Sequence, residues 1–282
     1  MLRQRWLGRT FTGQMVRSLL FLYLLLNGFA FFAAERFIFR PPAASYQDTN
    51  EILKLRTADG AMISAVYLPQ PTATFTLIYS HGNGEDLGRV RSRLERLRAL
   101  GFAVFAYDYR GYGTSDGFPA ERFVYQDINA AYEYVTQTLQ VTPSRVVLYG
   151  RSVGSGPSVD LASRKPVSGV ILESPFTSTF RVITQIPILP WDRFDNLAKL
   201  KSLTCPALIM HGTRDRIIPY YHSQVLYTRL QTPKTFLTVE GADHNDLLEV
   251  AGDRYNQAIQ TFQRELSQYQ SQAVSADPSP LL

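Results

Sequence analysis

Short apolar runs alternate along the chain with segments of helical periodicity. Between two of these runs, apolar residues recur three and four positions apart at Leu87, Val90, Leu94 and Leu97, which predicts a helix with one apolar face. Strands that alternate with helices predict an α/β domain with a mostly parallel sheet and helices on both faces. The runs short enough for buried parallel strands are 75–79, 102–106, 146–149, 169–172, 207–210 and 235–239.

A turn signal near the start of this pattern predicts an opening β-hairpin. Ala58-Asp59-Gly60 separates residues 51–55 from residues 62–67, and both flanking segments suit strands. The sheet is therefore expected to have eight strands. Residues 178–202 later interrupt the alternation with two prolines and Trp191, and this segment is too short for a domain of its own. We interpret it as a small lid over the strand ends.

An uncharged stretch near the N-terminus predicts a transmembrane anchor. Residues 18–34 form a run of 17 residues without a charge, close to the minimum for a spanning helix. A signal peptide is the alternative, but apolar character resumes at 37–39, which favours an uncleaved anchor. The expected organisation is a basic segment at 1–17, the anchor at 18–34, a folded domain at 37–265 that includes the lid, and a disordered tail at 266–282, rich in Gln, Ser and Pro.

The excess positive charge of the chain lies beside this anchor. The formal net charge is +5, and the first 40 residues hold six arginines and one glutamate. The remainder is neutral overall, so we expect no nucleic-acid partner. Four of the arginines precede the uncharged stretch, whereas Arg36 and Arg40 follow it together with Glu35. The positive-inside rule therefore predicts a single-pass membrane protein whose folded domain is extracytoplasmic.

The pattern G-x-S-x-G occurs twice, and its surroundings separate the two copies. GRSVG at 150–154 joins the strand at 146–149 to a helix-like stretch of small residues, which is the frame of a nucleophile elbow. Glycines are needed there because side chains would collide with backbone. GTSDG at 113–117 follows a polar, turn-rich segment instead, and Phe118-Pro119 delays any helix. Ser152 is therefore the candidate nucleophile, and Ser115 is interpreted as a loop residue.

A serine nucleophile needs a histidine that removes its proton. In an elbow of this type the chain order is serine, acid, histidine, which excludes His81. His211 ends a strand, and His222 lies on a predicted helix after Pro219. His244 lies in a polar loop between the last strand and the last helix, where its ring can reach over the sheet edge. His244 is therefore the candidate base.

The histidine in turn needs a carboxylate that fixes its tautomer. Asp215 follows the strand at 207–210 and is the candidate acid. Asp243 and Asp246 are its rivals. Both lie beside His244 in sequence, and neighbouring residues on one loop rarely face each other well enough for a ring-to-carboxylate hydrogen bond. A turn role suits Asp243 and a helix-capping role suits Asp246.

An acyl-transfer site also needs two N–H donors for the oxyanion. The backbone of Val153, directly after the serine, is expected to supply one, and that of Asn83, in the loop after the strand at 75–79, the other. The histidines are scattered and no dinucleotide fingerprint occurs, so neither a metal nor a cofactor is expected. Cys205 is interpreted as a core residue. Five arginines on the helix that carries Leu87 to Leu97 are interpreted as a solvated face.

From about residue 37 to about residue 262 the chain resembles an α/β-hydrolase of the serine-aminopeptidase-like branch, which includes membrane-associated depalmitoylases and related lipid-acting hydrolases. The segments that carry the resemblance are, in order, SHGNGEDLG, YDYRGYGTSDG, LYGRSVGSGP, LESPFTS, HGTRDRIIP and GADHND. The resemblance implies the α/β-hydrolase fold and the same five residues, with Ser152, Asp215 and His244 as triad and Asn83 and Val153 as oxyanion donors. Such depalmitoylases can carry a cysteine-rich N-terminal segment, where this chain has a hydrophobic stretch instead.

These features together predict a membrane-anchored serine hydrolase that cleaves an acyl ester or thioester, with a lipid-like substrate suggested by the anchor. Two alternatives stay open at this point. The same triad serves an aminopeptidase or amidase, which an acidic pocket for a free amino terminus would favour. The other is a non-catalytic or signal-binding protein of the same fold, since a fold does not fix a function. Such a protein has no need of an intact triad.

Overall fold

The computed structural model describes the backbone of residues 11–276 and the side chains of residues 13–272. The chain divides into two units, with the boundary between Arg40 and Pro41. The first unit contributes one helix and the second contains the sheet with the other helices.

Helix α1 spans Phe11–Ile38 and extends beyond both ends of the predicted anchor at 18–34. The anchor was bounded by charged residues, but a helix ends where its backbone hydrogen bonding is interrupted. Two prolines at 41 and 42 follow α1, and proline disfavours helical backbone in the residue before it. Residues Gly13–Ile38 are long and apolar enough to cross a membrane, a criterion that a signal sequence near the N-terminus also meets.

One sheet of eight strands forms the centre of the second unit, in the order β1-β2-β4-β3-β5-β6-β7-β8. The first two strands form the expected antiparallel hairpin, and β2 also pairs antiparallel with β4. The other neighbours are parallel. Each strand lies within a few residues of its predicted position. The strands are β1 (Leu53–Arg56), β2 (Met62–Leu68), β3 (Thr76–Ser80), β4 (Ala103–Tyr107), β5 (Val146–Arg151), β6 (Gly169–Glu173), β7 (Ala207–Gly212) and β8 (Lys234–Val239).

Helices cover both faces of this sheet. Val104 and Ala106 of β4 belong to a buried cluster with the apolar face predicted around Leu94. The intervening Phe105 points to the opposite face, where its ring stacks 5.4 Å from that of Tyr134. The remaining helices in the described residues are α2 (Leu87–Ala99), α3 (Glu121–Glu133), α4 (Ser155–Ala162), α5 (Thr179–Ile183), α6 (Asn196–Lys199), α7 (Tyr221–Arg229), α8 (Leu247–Ala251) and α9 (Asp253–Ala276). A π-helical turn, Tyr134–Thr138, extends α3.

The expected disordered tail at 266–282 is wrong for its first part, because α9 continues to Ala276. The abundant Gln and Ser suggested disorder, but apolar residues recur at helical spacing as Tyr255, Ile259, Phe262 and Leu266, which are all buried in the core. Beyond them, the side chain of Gln270 donates to Ser168 Oγ at 2.9 Å and anchors the helix near the start of β6. Residues 277–282 lie outside the described part of the chain.

Leu266 gives a test of this helix. Replacing its fully buried side chain with alanine in Leu266→Ala removes packing and leaves a cavity, so we expect the free energy of unfolding to fall by about 2–5 kcal/mol. Gln268→Ala, on the exposed side of the same helix, should change it by less than about 0.5 kcal/mol. Denaturant unfolding of the two variants beside the parent chain measures both values. Equal, small effects would mean that this part of α9 does not pack on the core.

Candidate active site

The turn after β5 holds Ser152 in a strained conformation. The strand ends at Arg151, a short 3-10 turn covers Ser152–Gly154, and α4 begins at Ser155. Ser152 has a φ of +53°, in the left-handed region that non-glycine residues seldom adopt. Such backbone persists only where surrounding packing enforces it, and it is concentrated at functional sites.

Close backbone contacts enforce this conformation and explain both glycines of the motif. A Cβ on Gly154 would lie 2.1 Å from the carbonyl oxygen of Ser80, at the end of β3. A Cβ on Gly150 would lie 2.5 Å from the carbonyl oxygen of Gly154. Neither position has room for a side chain, which confirms the sequence-based prediction for these glycines. The turn is thereby pressed against the end of the neighbouring strand.

The structure brings together the three side chains that sequence analysis selected. Ser152 Oγ lies 3.0 Å from His244 Nε2, and His244 Nδ1 lies 2.7 Å from Asp215 Oδ2. Their loops follow β5, β7 and β8, whose parallel arrangement puts them at one edge of the sheet. The three residues are largely buried. This is the hydrogen-bonding order of a nucleophile, a base and an orienting acid.

Asp215 accepts a full set of hydrogen bonds. Its Oδ1 accepts the N–H groups of Ile217 and Ile218 at 2.9 and 2.8 Å. Its Oδ2, besides bonding His244, lies 3.1 Å from His211 Nε2. Burial alone would raise the pKa of Asp215, but the hydrogen bonds from His211, His244 and Ile218 outweigh it and hold the pKa well below its usual range. The carboxylate therefore stays ionised at neutral pH.

His211 is a residue of this site that sequence reasoning considered only as a rival base. Its Nδ1 lies 2.6 Å from Ser223 Oγ, and its Nε2 lies 2.9 Å from the carbonyl oxygen of Ile218. The ring is fully buried near the end of β7. With both nitrogens engaged, it braces the acid instead of reaching the serine. The sequence signal that could have found it is a histidine that directly follows the apolar run 207–210, four residues before the acid.

The rival acids have other partners. Asp243 Oδ2 bonds Arg216 Nε at 2.6 Å, and Asp243 Oδ1 accepts the N–H of His244 itself at 2.8 Å. Asp246 directly precedes α8, as expected for a capping residue, but its carboxylate accepts the N–H of Asp243 at 2.6 Å. The predicted side-chain cap is therefore wrong. Both carboxylates instead stabilise the loop that presents His244.

The second serine motif is part of the scaffold. Ser115 Oγ accepts the N–H of Ser64 in β2 at 2.9 Å and donates to the carbonyl oxygen of Asp108 at 3.1 Å. It lies in a loop, as predicted. Cys205 is also structural, since its side chain is buried and burial raises the pKa of its thiol to about 12. Neither residue is available as a nucleophile in this arrangement.

The loop after β3 packs directly against the serine turn. Gly82 donates its N–H to Glu85 Oε2 at 2.7 Å, so this amide is already bound within the loop. The next residue, Asn83, has its side-chain oxygen held by the Tyr112 hydroxyl at 2.6 Å. His81 is buried beneath the loop, with Nε2 3.3 Å from Asp108 Oδ1. These contacts fix the loop that carries Asn83, and the carbonyl oxygens of Ser80 and His81 at its start lie close to Gly154 in the serine turn.

Comparisons with known proteins place the chain in a family. Residues 71–191 match the family model described as serine aminopeptidase, S33. The α/β-hydrolase domain-containing protein 17B of Homo sapiens is 38% identical over 226 residues, which cover 79% of this chain and 77% of the human protein. The chain belongs to the α/β-hydrolase domain-containing protein 17 family. The protein 17C of Xenopus laevis, from the same family, is 39% identical over 204 residues, covering 71% of this chain and 66% of that protein.

Solved structures agree with the fold of this family member. The esterase Pf2001 of Pyrococcus furiosus superposes with a TM-score of 0.69 and 18% identity, covering 80% of this chain and 98% of that one. Est1E of Butyrivibrio proteoclasticus, solved with ferulic acid, superposes with a TM-score of 0.63 and 20% identity. The match covers 76% of this chain and 98% of that one. At these identities the likeness shows the fold. The family model and the human relative confirm the resemblance drawn from the ordered motifs, and the chain is a hydrolase of the α/β-hydrolase superfamily.

The contact at Gly154 gives a prediction for the serine turn. In Gly154→Ala the new Cβ would collide with backbone of β3, so the turn must move, and we expect reaction of the protein with a fluorophosphonate to slow by at least about tenfold. Gly60→Ala, in the turn between β1 and β2, is the matched control, because its Cβ would have no atom within 4 Å and only backbone strain of about 1 kcal/mol arises. Equal labelling rates in the two variants would contradict the close approach.

Proposed function

We propose that the protein is a serine hydrolase that cleaves an acyl ester or thioester through an acyl-enzyme on Ser152. The observation that carries the proposal is the pair of hydrogen bonds from Ser152 Oγ through the His244 ring to Asp215, at 3.0 and 2.7 Å. A serine hydroxyl becomes a strong nucleophile when an oriented imidazole accepts its proton.

The reaction begins when His244 Nε2 takes the proton of Ser152 Oγ as that oxygen attacks the carbonyl carbon. The negative charge on the carbonyl oxygen is bound by the N–H groups of Asn83 and Val153. When the tetrahedral intermediate collapses, His244 gives its proton to the departing alcohol or thiol. Water then repeats the sequence on the acyl-enzyme and releases the carboxylic acid. Asp215 remains a carboxylate and stabilises the imidazolium throughout.

A lipid-like acyl chain is the substrate class that the rest of the chain supports. Helix α1 is suited to a membrane, where esters with long acyl chains are found. The segment 178–202 contains α5, α6 and a 3-10 turn, and it borders a cavity of about 550 Å³. Leu189, Pro190 and Trp191 provide apolar walls for this cavity. We propose that the segment acts as the lid and that the cavity accepts part of the acyl chain.

Amide hydrolysis is the second candidate, favoured by the match to the serine aminopeptidase model. An aminopeptidase needs a carboxylate that receives the free amino group. The cavity contains Asp192 and Asp195, but Asp192 accepts the N–H of Phe180 at 2.8 Å and Asp195 that of Ala198 at 2.9 Å. Because both acids hold backbone of the lid segment, the ester or thioester is the better-supported substrate.

The nucleophile is tested by labelling with a fluorophosphonate. Ser152→Ala should lose labelling and lower ester turnover by on the order of 10⁶-fold, because it removes the hydroxyl that His244 Nε2 contacts. Ser115→Ala is the matched control and should keep both. Labelling that survives in Ser152→Ala would refute the assignment. Absence of labelling and of turnover in the parent chain would instead favour a non-catalytic binding protein.

The substrate class is tested with acyl groups of increasing chain length, each attached to three different leaving groups. Transfer of each methylene from water to an apolar cavity contributes about 0.8 kcal/mol, so kcat/KM should rise by up to about fourfold per methylene. The same acyl group is presented as an oxygen ester, a thioester and an anilide, and the anilide should be the slowest. An optimum at the acetyl ester would contradict a lipid-like substrate, and a preference for amino-acid anilides would favour the aminopeptidase.

The arrangement across the membrane gives a separate prediction. We propose that α1 remains attached and that the folded domain is extracytoplasmic, since four arginines precede the uncharged stretch. Added protease should then degrade the folded domain in right-side-out vesicles and spare it in inside-out vesicles. The opposite pattern would place the domain in the cytoplasm. Release of the domain into the soluble fraction would identify the N-terminal segment as a cleaved signal.

A further inference from the structure

Arg151, the residue between Gly150 and Ser152, has its guanidinium buried beneath the candidate active site. Its Nη1 donates to Glu85 Oε1 at 2.7 Å, in the loop after β3. Its Nη2 donates to the carbonyl oxygen of His244 at 3.1 Å and to Asn245 Oδ1 at 3.0 Å. Its Nε donates to Glu173 Oε1 at 3.1 Å. One side chain therefore joins the serine turn, the loop of the base and the loop after β3.

The link through Glu85 reaches the proposed oxyanion donor. Glu85 accepts Arg151 on one carboxylate oxygen and the Gly82 N–H on the other, both at 2.7 Å. Gly82 directly precedes Asn83, and a Cβ on Gly82 would lie only 2.7 Å from Arg151 Nη1. The backbone of this loop thus rests on the guanidinium. A displacement of Arg151 must move the peptide next to Asn83.

A neutral group of charges holds the guanidinium in place. Glu173 is 1% exposed, and its side chain also bonds Arg93 of α2 at 2.7 Å. Burial alone would raise the pKa of Glu173, but Arg93 and Arg151 outweigh it and lower the pKa. Two arginines and the two glutamates at 85 and 173 make the group neutral overall. Arg93, on the helix face expected to be solvated, is instead partly buried and paired with Glu173.

We propose that Arg151 is a positioning residue that sets the distances between Ser152, His244 and the loop of Asn83 without touching substrate. The inference rests on the proposed function, because it assumes that those residues carry the reaction. Its support is that Nη2 binds the carbonyl of the very residue whose ring must remain 3.0 Å from Ser152 Oγ. A misplacement of about 1 Å among reacting groups can lower a rate by about 100-fold.

Lysine cannot replace arginine in this role. The guanidinium offers five N–H donors in a fixed plane, and Arg151 uses three nitrogens for four acceptors on three segments of the chain. A lysine ammonium is a single point that keeps the positive charge. Arg151→Lys therefore preserves the neutrality of the group with Glu173 but loses most of the links between loops. The substitution therefore tests the positioning of the loops while the charge of the group stays the same.

Arg93→Lys is the matched control. Arg93 bonds the same buried Glu173. The other groups that act on its charge, Tyr79, Tyr149 and Tyr255, lie in the core and not in the loops of Ser152, Asn83 or His244. If the group only stabilises the fold, the two lysine variants should behave alike. Under the proposal, Arg151→Lys lowers kcat for a soluble ester by at least about tenfold, with KM changed by less than about twofold. Arg93→Lys keeps kcat within about twofold.

The measurements are kcat and KM per site titrated with a fluorophosphonate, together with amide hydrogen exchange in the full-length protein. Exchange in peptides that cover 80–85 and 241–247 should accelerate in Arg151→Lys and not in Arg93→Lys. Equal kcat values and equal exchange in the two variants would overturn the proposal. The proposed function fails separately, through absence of turnover or labelling in the parent chain, and the exchange comparison still decides whether Arg151 holds the two loops.

Discussion

The close approach of the Ser152 turn to the end of β3 is the constraint on which the candidate site depends. No Cβ fits at Gly154, because the carbonyl of Ser80 occupies the space. The end of β3 is itself fixed by the buried contact of Ser80 Oγ with the Tyr107 hydroxyl at 2.8 Å. Since β3 and β5 are parallel neighbours, their two following loops must lie side by side. The strain at Ser152 is sustained by this packing, and it turns the hydroxyl toward His244.

Two buried carboxylates near this turn are satisfied in different ways. Glu173 is neutralised by two arginines, whereas Asp215 accepts backbone N–H groups and two histidine rings. The Asp215 carboxylate stays ionised, and its Oδ2 faces His244 Nδ1 at 2.7 Å. That is the condition under which an acid stabilises a transient imidazolium without taking its proton.

Much of this could be predicted from the sequence, because the relevant signals are local. A central strand of a parallel sheet is a short apolar run, so β3 to β8 were located within a few residues. The elbow depends on glycines within five consecutive positions. Contacts between residues far apart in the sequence could not be predicted. Arg93 and Glu173, for example, are 80 positions apart, and no local pattern pairs them. In α9 the many polar residues suggest disorder, although apolar residues that include Leu266 recur at helical spacing and are buried.

The position of the buried charges also has a physical explanation. Transferring two ions from water to the protein interior costs free energy, and their mutual attraction does not always offset that cost. A buried ion pair is therefore weak evidence of a stabilising role. Arg151 and Glu173 are register partners at the last positions of β5 and β6, where the strands give way to loops. An apolar pair there would pack the sheet equally well, but it could not bind the carbonyl of His244 or the carboxylate of Glu85. Directional hydrogen bonds are what this position adds. Hydrophobic burial fixes the strands of the sheet, and the hydrogen bonds of Arg151 fix the loops of Glu85 and His244 that follow those strands.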